Sequence, residues 1–150
     1  MLTAACGVLS IPQVEDAKCT ESREIVRSFY AQHFADEGDA VFTRENVAKV
    51  EKFFTPELYK TLLGALDRNI SLPGDIFADS AERPTGFKVG ECKISGENMV
   101  THTVRLFWKI DDTPTVGDVK VQVDKHGGKW LISDFVGNAN GSLAQRLGRQ

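Results

Sequence analysis

Long apolar runs are missing from this chain: no stretch approaches the roughly 20 uninterrupted hydrophobic residues that a bilayer-spanning helix needs. A basic excess is missing too. Eighteen Lys and Arg face 21 Asp and Glu, a net charge of −3, and no basic stripe of the kind that meets a phosphate backbone is visible, so nucleic acid is not an expected partner. Cysteine is scarce, with three in 150 residues, and histidine equally so. There is no Cys-x-x-Cys and no pair of His three to five apart, the spacings that hold zinc. Two acids four apart, Asp75 and Asp79, are too few and too unpatterned in their oxygens for a calcium loop. Neither metal nor cofactor is expected from these patterns.

What remains is the composition of one globular domain. A chain of 150 residues buries roughly 70% of its unfolded surface, enough for a core without metals or staples. Nine Phe are the main surplus, and each carries a large apolar area into that core.

The first residues, Met1-Leu2-Thr3-Ala4-Ala5-Cys6, are too short for a secretory signal and lack both its basic start and its apolar stretch. Small residues followed by Cys nevertheless resemble the end of a bacterial lipoprotein signal, with Cys6 as the acylated residue. The alternative is a disordered terminus with a chance Cys, and both readings stand. With Cys6 used as an anchor, Cys19 and Cys92 are left as an even pair. In an oxidising compartment they bridge the N-terminal segment to the sheet, closing 73 residues for about 4 kcal/mol on the chain-entropy model. In a reducing one they are separate thiols and Cys92 is a small core residue.

Residues 1–20 read as a signal remnant or linker. Thr20 or Ser22 is expected to cap a first helix whose face is Ile25, Val26, Phe29, Tyr30, His33 and Phe34. The cluster Asp36–Asp39 ends it. A second helix starts at Thr43 with Val47, Val50, Phe53 and Phe54 as its stripe. Thr55 caps a third, with Pro56 at its first position and Leu58, Leu62, Ala65 and Leu66 buried. Residues 72–86 carry Pro73, Gly74, Pro84 and Gly86 without any period, and so long a connection is often functional. Strands follow at Phe87–Ser95, Met99–Asp111, Val116–Asp124 and Lys129–Val136, joined by hairpin turns. The domain spans residues 21–137, and 138–150 read as a polar flexible tail, with one helical turn over 142–147. The expected class is α+β, helices first and an antiparallel sheet after.

Several segments match a known pattern. Phe53–Leu58 (Phe-Phe-Thr-Pro-Glu-Leu), Asp75-Ile76-Phe77, and a closing strand with Gly128, Trp130, Ile132 and Asp134 together resemble the nuclear-transport-factor-two-like superfamily. More narrowly, they are similar to its bacterial envelope branch of unknown function. The resemblance covers about residues 20–137. It implies a curved antiparallel sheet wrapped around the helices as a cone with a pocket. It implies little about activity, because one superfold hosts enzymes, adaptors and inhibitors.

In such a pocket an enzyme uses an inward acid or base with a shifted pKa, often beside a helix Tyr. Tyr30, His33, His102 and Asp134 are the candidates here. Each has a plainer alternative: His102 lies in an apolar row, Tyr30 on a buried stripe, His33 at a helix end, and Asp134 needs an ion-pair partner, with Arg105 or Lys109 in reach. Ile76 and Phe77 are expected to tuck the 72–86 loop onto the mouth of the cone, leaving Asp75, Phe77 and Asp79 as a surface for a ligand or partner. Two functions follow. The first is a non-enzymatic module of the bacterial envelope that binds a protein or small molecule, such as an immunity or accessory lipoprotein, with membrane contact only through its lipid. The second is a small-molecule isomerase, dehydratase or hydrolase working in the cone. If His102, Tyr30 and Asp134 converge on one open cavity, the second gains. The final strand carries large apolar groups on both faces, so it is expected to be central, with Trp130 against the first helix near Phe29.

Overall fold

The structure is a computed structural model, which describes residues 15–35, 42–72 and 74–148. Cys6 with its neighbours, the Asp36–Asp39 helix end and Pro73 lie outside the described residues.

The first helix, α1, spans Ala17–Ala35. It begins a turn earlier than Thr20 because Asp16 is the cap: its carboxylate accepts from Lys18 N at 2.8 Å, and its carbonyl takes the amides of Cys19 and Thr20. The extra turn brings Cys19 into the buried row Cys19, Ser22, Val26, Phe29 and Tyr30. A short α2 (Arg44–Lys49) and one 3-10 turn (Glu51–Phe53) lead to α3, Pro56–Asp67. Thr55 caps α3 through Leu58 N at 3.2 Å, with Pro56 at its start.

The sheet is antiparallel throughout, in the order β1-β2-β3-β4-β5. Its strands are β1 (Gly86–Gly96), β2 (Met99–Ile110), β3 (Thr113–His126), β4 (Lys129–Gly137) and β5 (Gly141–Ser142). Two-residue turns join the middle strands. Asp111 and Asp112 both adopt positive φ, 49° and 62°, as do Gly127 and Gly128 at 54° and 82°, the backbone that closes a hairpin in keeping with strand twist. Strict alternation then puts Val100, His102, Val104 and Leu106 of β2 beside Val119, Val121 and Val123 of β3 on the face that α1 covers.

In β4 the alternation breaks. Gln122 pairs with Asp134 but the next residue, Val123, pairs with Ile132, so one extra residue bulges at Ser133 and reverses the faces beyond it. Trp130 and Ile132 remain inward, yet Phe135 and Gly137 take the core side in place of Asp134 and Val136. Phe135, not Trp130, meets Phe29, with centroids 5.3 Å apart. Trp130 lies further up α1, its Nε1 donating to Glu21 Oε2 at 3.1 Å while Lys125 Nζ sits 5.5 Å from its ring. Nor is β4 central. Its outer edge is covered in pieces: by β5 at one end, and by a parallel bridge from Phe54 with Thr55 N donating to Ile132 O at 2.9 Å.

The expected tail is packed instead of free. β5 runs into α4, Leu143–Gly148, whose Leu143 and Leu147 are buried, and Arg68 of α3 donates to Leu147 O at 2.6 Å. Two leucines four apart are a helical stripe short enough to be outweighed, on composition, by the polar residues around them. Cys19 and Cys92 are joined, Sγ to Sγ at 2.04 Å with Cα atoms 6.0 Å apart, tying the first turn of α1 to the edge strand β1.

Candidate binding site

Between helices and sheet the interior is filled by rings. Phe29 lies within 6 Å, centroid to centroid, of Tyr30, Phe53, Phe54, Phe77 and Phe135, in the edge-on and tilted arrangements that ring quadrupoles favour. Of the polar residues singled out from the sequence, Tyr30, His102 and Asp134 each bond to a different partner around this aromatic core, while His33 and Asp75 contact each other. Tyr30 is fully buried and donates to Phe77 O at 2.7 Å; burial, then the nearby Asp75 charge, raises its pKa well above that of a free phenol. His102 is equally buried, its Nε2 2.6 Å from Ser22 Oγ and its Nδ1 without a partner, and burial first, then the Arg23 guanidinium, lowers its pKa to about 4. Asp134, turned outward by the bulge, is not paired with Arg105 or Lys109. It accepts from Phe135 N and Ala144 N, both at 2.9 Å, and from the Ser142 hydroxyl, so it organises the entry to α4. Arg105 pairs with Asp118 across the β2–β3 ladder at 3.1 Å.

The segment 74–80 is not an open partner surface either. Ile76, Phe77 and Ala78 are buried, and the flanking acids face inward as anchors. Asp75 accepts from Phe77 N at 3.0 Å and contacts His33 Nε2 at 2.7 Å. Asp79, with positive φ and its side chain 8% exposed, accepts from the amides of Ala139 and Asn140 and lies 3.6 Å from Arg146. Gly137 makes room for it, since a Cβ there would fall 2.1 Å from Asp79 Oδ2. A buried carboxylate needs such partners, and the chain supplies them from α1 and from the C-terminal segment. Among the described residues no group of three or more His, Cys, Asp or Glu is placed to hold a metal ion.

A concavity lies elsewhere, outside the sheet's helix-covered face. A groove of about 940 Å³ runs along α3, with Lys129 and Leu131 of β4 on its far wall and Phe54 among its lining residues. Pro56, Tyr59, Lys60, Leu63, Gly64 and Asp67 line it from α3, a second helical stripe beside the buried Leu58, Leu62 and Ala65. Sequence reading followed the buried stripe and missed this one. The usable signal was Gly64: a glycine inside a helix costs about 1 kcal/mol relative to Ala. The fold makes no demand for it, because a Cβ there would meet only Arg68 Nη1, at 3.4 Å. Lys52, Lys60, Arg68 and Lys129 face Glu51 and Asp67 around the groove, and Asp67 is paired with Arg44. The groove is therefore locally basic on a chain of net charge −3.

No protein-family model and no curated protein matches the chain. Among solved structures it is similar to a protein of unknown function from Bacteroides thetaiotaomicron VPI-5482, at 20% identity and a TM-score of 0.51, over 77% of this chain and 88% of that one. At that identity the likeness concerns the fold alone. The chain is an α+β domain whose helices pack on a five-stranded antiparallel sheet.

Proposed function

We propose that this chain is a non-catalytic binding module of the bacterial envelope, with the cone architecture of the nuclear-transport-factor-two-like superfamily, and that it holds its ligand or protein partner in the α3–β4 groove. The groove itself carries the reading: an accessible concavity with an apolar floor and a basic rim, built on a rigid helix and strand. The enzyme alternative asks for a polar group on an open pocket. Tyr30 and His102 are fully buried, and Asp134 is engaged by two amides and a hydroxyl.

The Cys19–Cys92 bond supports an extracytoplasmic address, since such bonds persist in oxidising compartments and are rare in the cytosol. An acylated Cys6 is the matching proposal for how the module is held at a membrane. Site-directed photocrosslinking in the native host tests the site: a probe at Tyr59 should give a discrete adduct that Lys129→Glu removes, whereas a probe at Thr103, on β2 two strands away and outside the groove's lining, should give none. Equal labelling from both positions would sink the proposal. Trapping free thiols before lysis tests the compartment, because reduced Cys19 and Cys92 in living cells would contradict it.

A further inference from the structure

Resting on the groove as the binding site, we infer that its occupant is an amphipathic helix of a partner protein, carrying an apolar stripe with acidic residues along its flanks. Three observations point the same way. The first is shape. The α3 stripe from Pro56 to Asp67 runs twelve residues, about 18 Å at 1.5 Å per residue, which is some three turns of helix. An open trough of that length beside a strand fits a rod better than it encloses a compact small molecule.

The second is Gly64, which lies in the wall of the groove midway along α3. Its φ is not positive, and the space a Cβ would take is bounded only by the end of the Arg68 side chain. A missing side chain on an exposed helix face, unneeded by the chain's own packing, is what lets a second helix approach closely. Ridges from the partner pass into the dent between Tyr59 and Leu63 on one side and Arg68 on the other.

The third is charge. Lys60 lines the groove from α3 and Lys129 from β4, and neither enters an ion pair among the described residues. Arg68, also lining the groove, donates to the Leu147 carbonyl at 2.6 Å. Cations on both walls of an apolar trough select a ligand that is acidic on both flanks of an apolar stripe, and they penalise a basic one.

The test uses the full chain and three synthetic peptides of about four helical turns each: a leucine stripe flanked by Glu, the same stripe flanked by Lys, and the Glu peptide with its order scrambled. Backbone amide spectra of the labelled protein locate binding. The Glu peptide should shift resonances of 56–67 and 129–131 and bind at least about tenfold more tightly than either control. Lys60→Glu with Lys129→Glu should invert the order of the two ordered peptides. Gly64→Leu should weaken the Glu peptide by at least about tenfold with the thermal midpoint unchanged or raised. Gly64→Ala provides the milder variant should Leu perturb the fold. Equal binding of the Glu and Lys peptides, or shifts confined to other surfaces, would overturn the inference. Laurate displacing the Glu peptide one for one, with Gly64→Leu leaving laurate unaffected, would also overturn it while leaving the groove as a binding site. If all three peptides and laurate fail to bind at about 1 mM, the inference falls; the crosslinking result at Tyr59 then decides whether the groove itself falls with it.

Discussion

His102 sits in a fully enclosed position under α1, opposite Cys92 in the β1–β2 ladder and 2.6 Å from Ser22 Oγ. Ser22 has one hydroxyl proton, and its Oγ lies 2.5 Å from Lys18 O. With that proton on the carbonyl, the imidazole Nε2–H donates to the serine oxygen and Nδ1 is left as an unprotonated, unpartnered acceptor. Protonation would place a buried N–H at Nδ1 with nothing to accept it, close to the Arg23 guanidinium, against which Glu15 offers only partial relief. The imidazole therefore titrates near 6.5 in the unfolded chain and at about 4 in the folded one. Between these values the unfolded state holds more protons. The contribution is fully present above pH 6.5, declines as the pH falls, and is lost through about pH 4. At roughly 1.4 kcal/mol for each tenfold change in proton affinity, the full effect is about 3 kcal/mol, a large share of the 5–15 kcal/mol typical of a domain. Denaturant midpoints measured from pH 7.5 to 4, with the disulfide intact, should fall much more steeply for the native protein than for His102→Leu. His33 and His126 are common to both and cancel in the difference. The substitution itself should cost no more than about 1.5 kcal/mol at neutral pH, being close to volume-conserving. Parallel curves for the two proteins, or an imidazole resonance of His102 titrating above pH 6, would refute the reasoning.

Reducing the Cys19–Cys92 bond, or replacing both by Ser, should lower stability by about 4 kcal/mol for a closed span of 73 residues, read from denaturation with and without reductant. Phe135→Ala should cost about 3–5 kcal/mol, since its ring meets Phe29, Tyr30, Phe54 and Phe77. Gly74→Ala should destabilise strongly, as its φ of 76° and a Cβ 2.2 Å from Ser80 O leave backbone as the obstacle. Asp79→Ala should speed amide exchange in both 74–80 and 138–142 at once, because one carboxylate anchors both; protection unchanged in either segment would disprove the coupling.

The class and order of elements were legible because they rest on local periodicity. Alternation over residues 100–110 of β2, the Thr55-Pro56 start of α3 and the glycine hairpin at 127–128 each declare themselves within a few residues. The site was not legible, for three reasons. A bulge at Ser133 reverses a strand without any mark in its alternation, so Asp134 and Phe135 exchanged faces. Burial of a helix face depends on what arrives from elsewhere: Leu143 and Leu147 look like a tail until Asp134 and Arg68 hold α4 in place. The groove, finally, is made where α3 and β4 come side by side, from residues some seventy positions apart in the chain. Local sequence specifies which faces are apolar, but which apolar face stays uncovered is decided only when the elements pack.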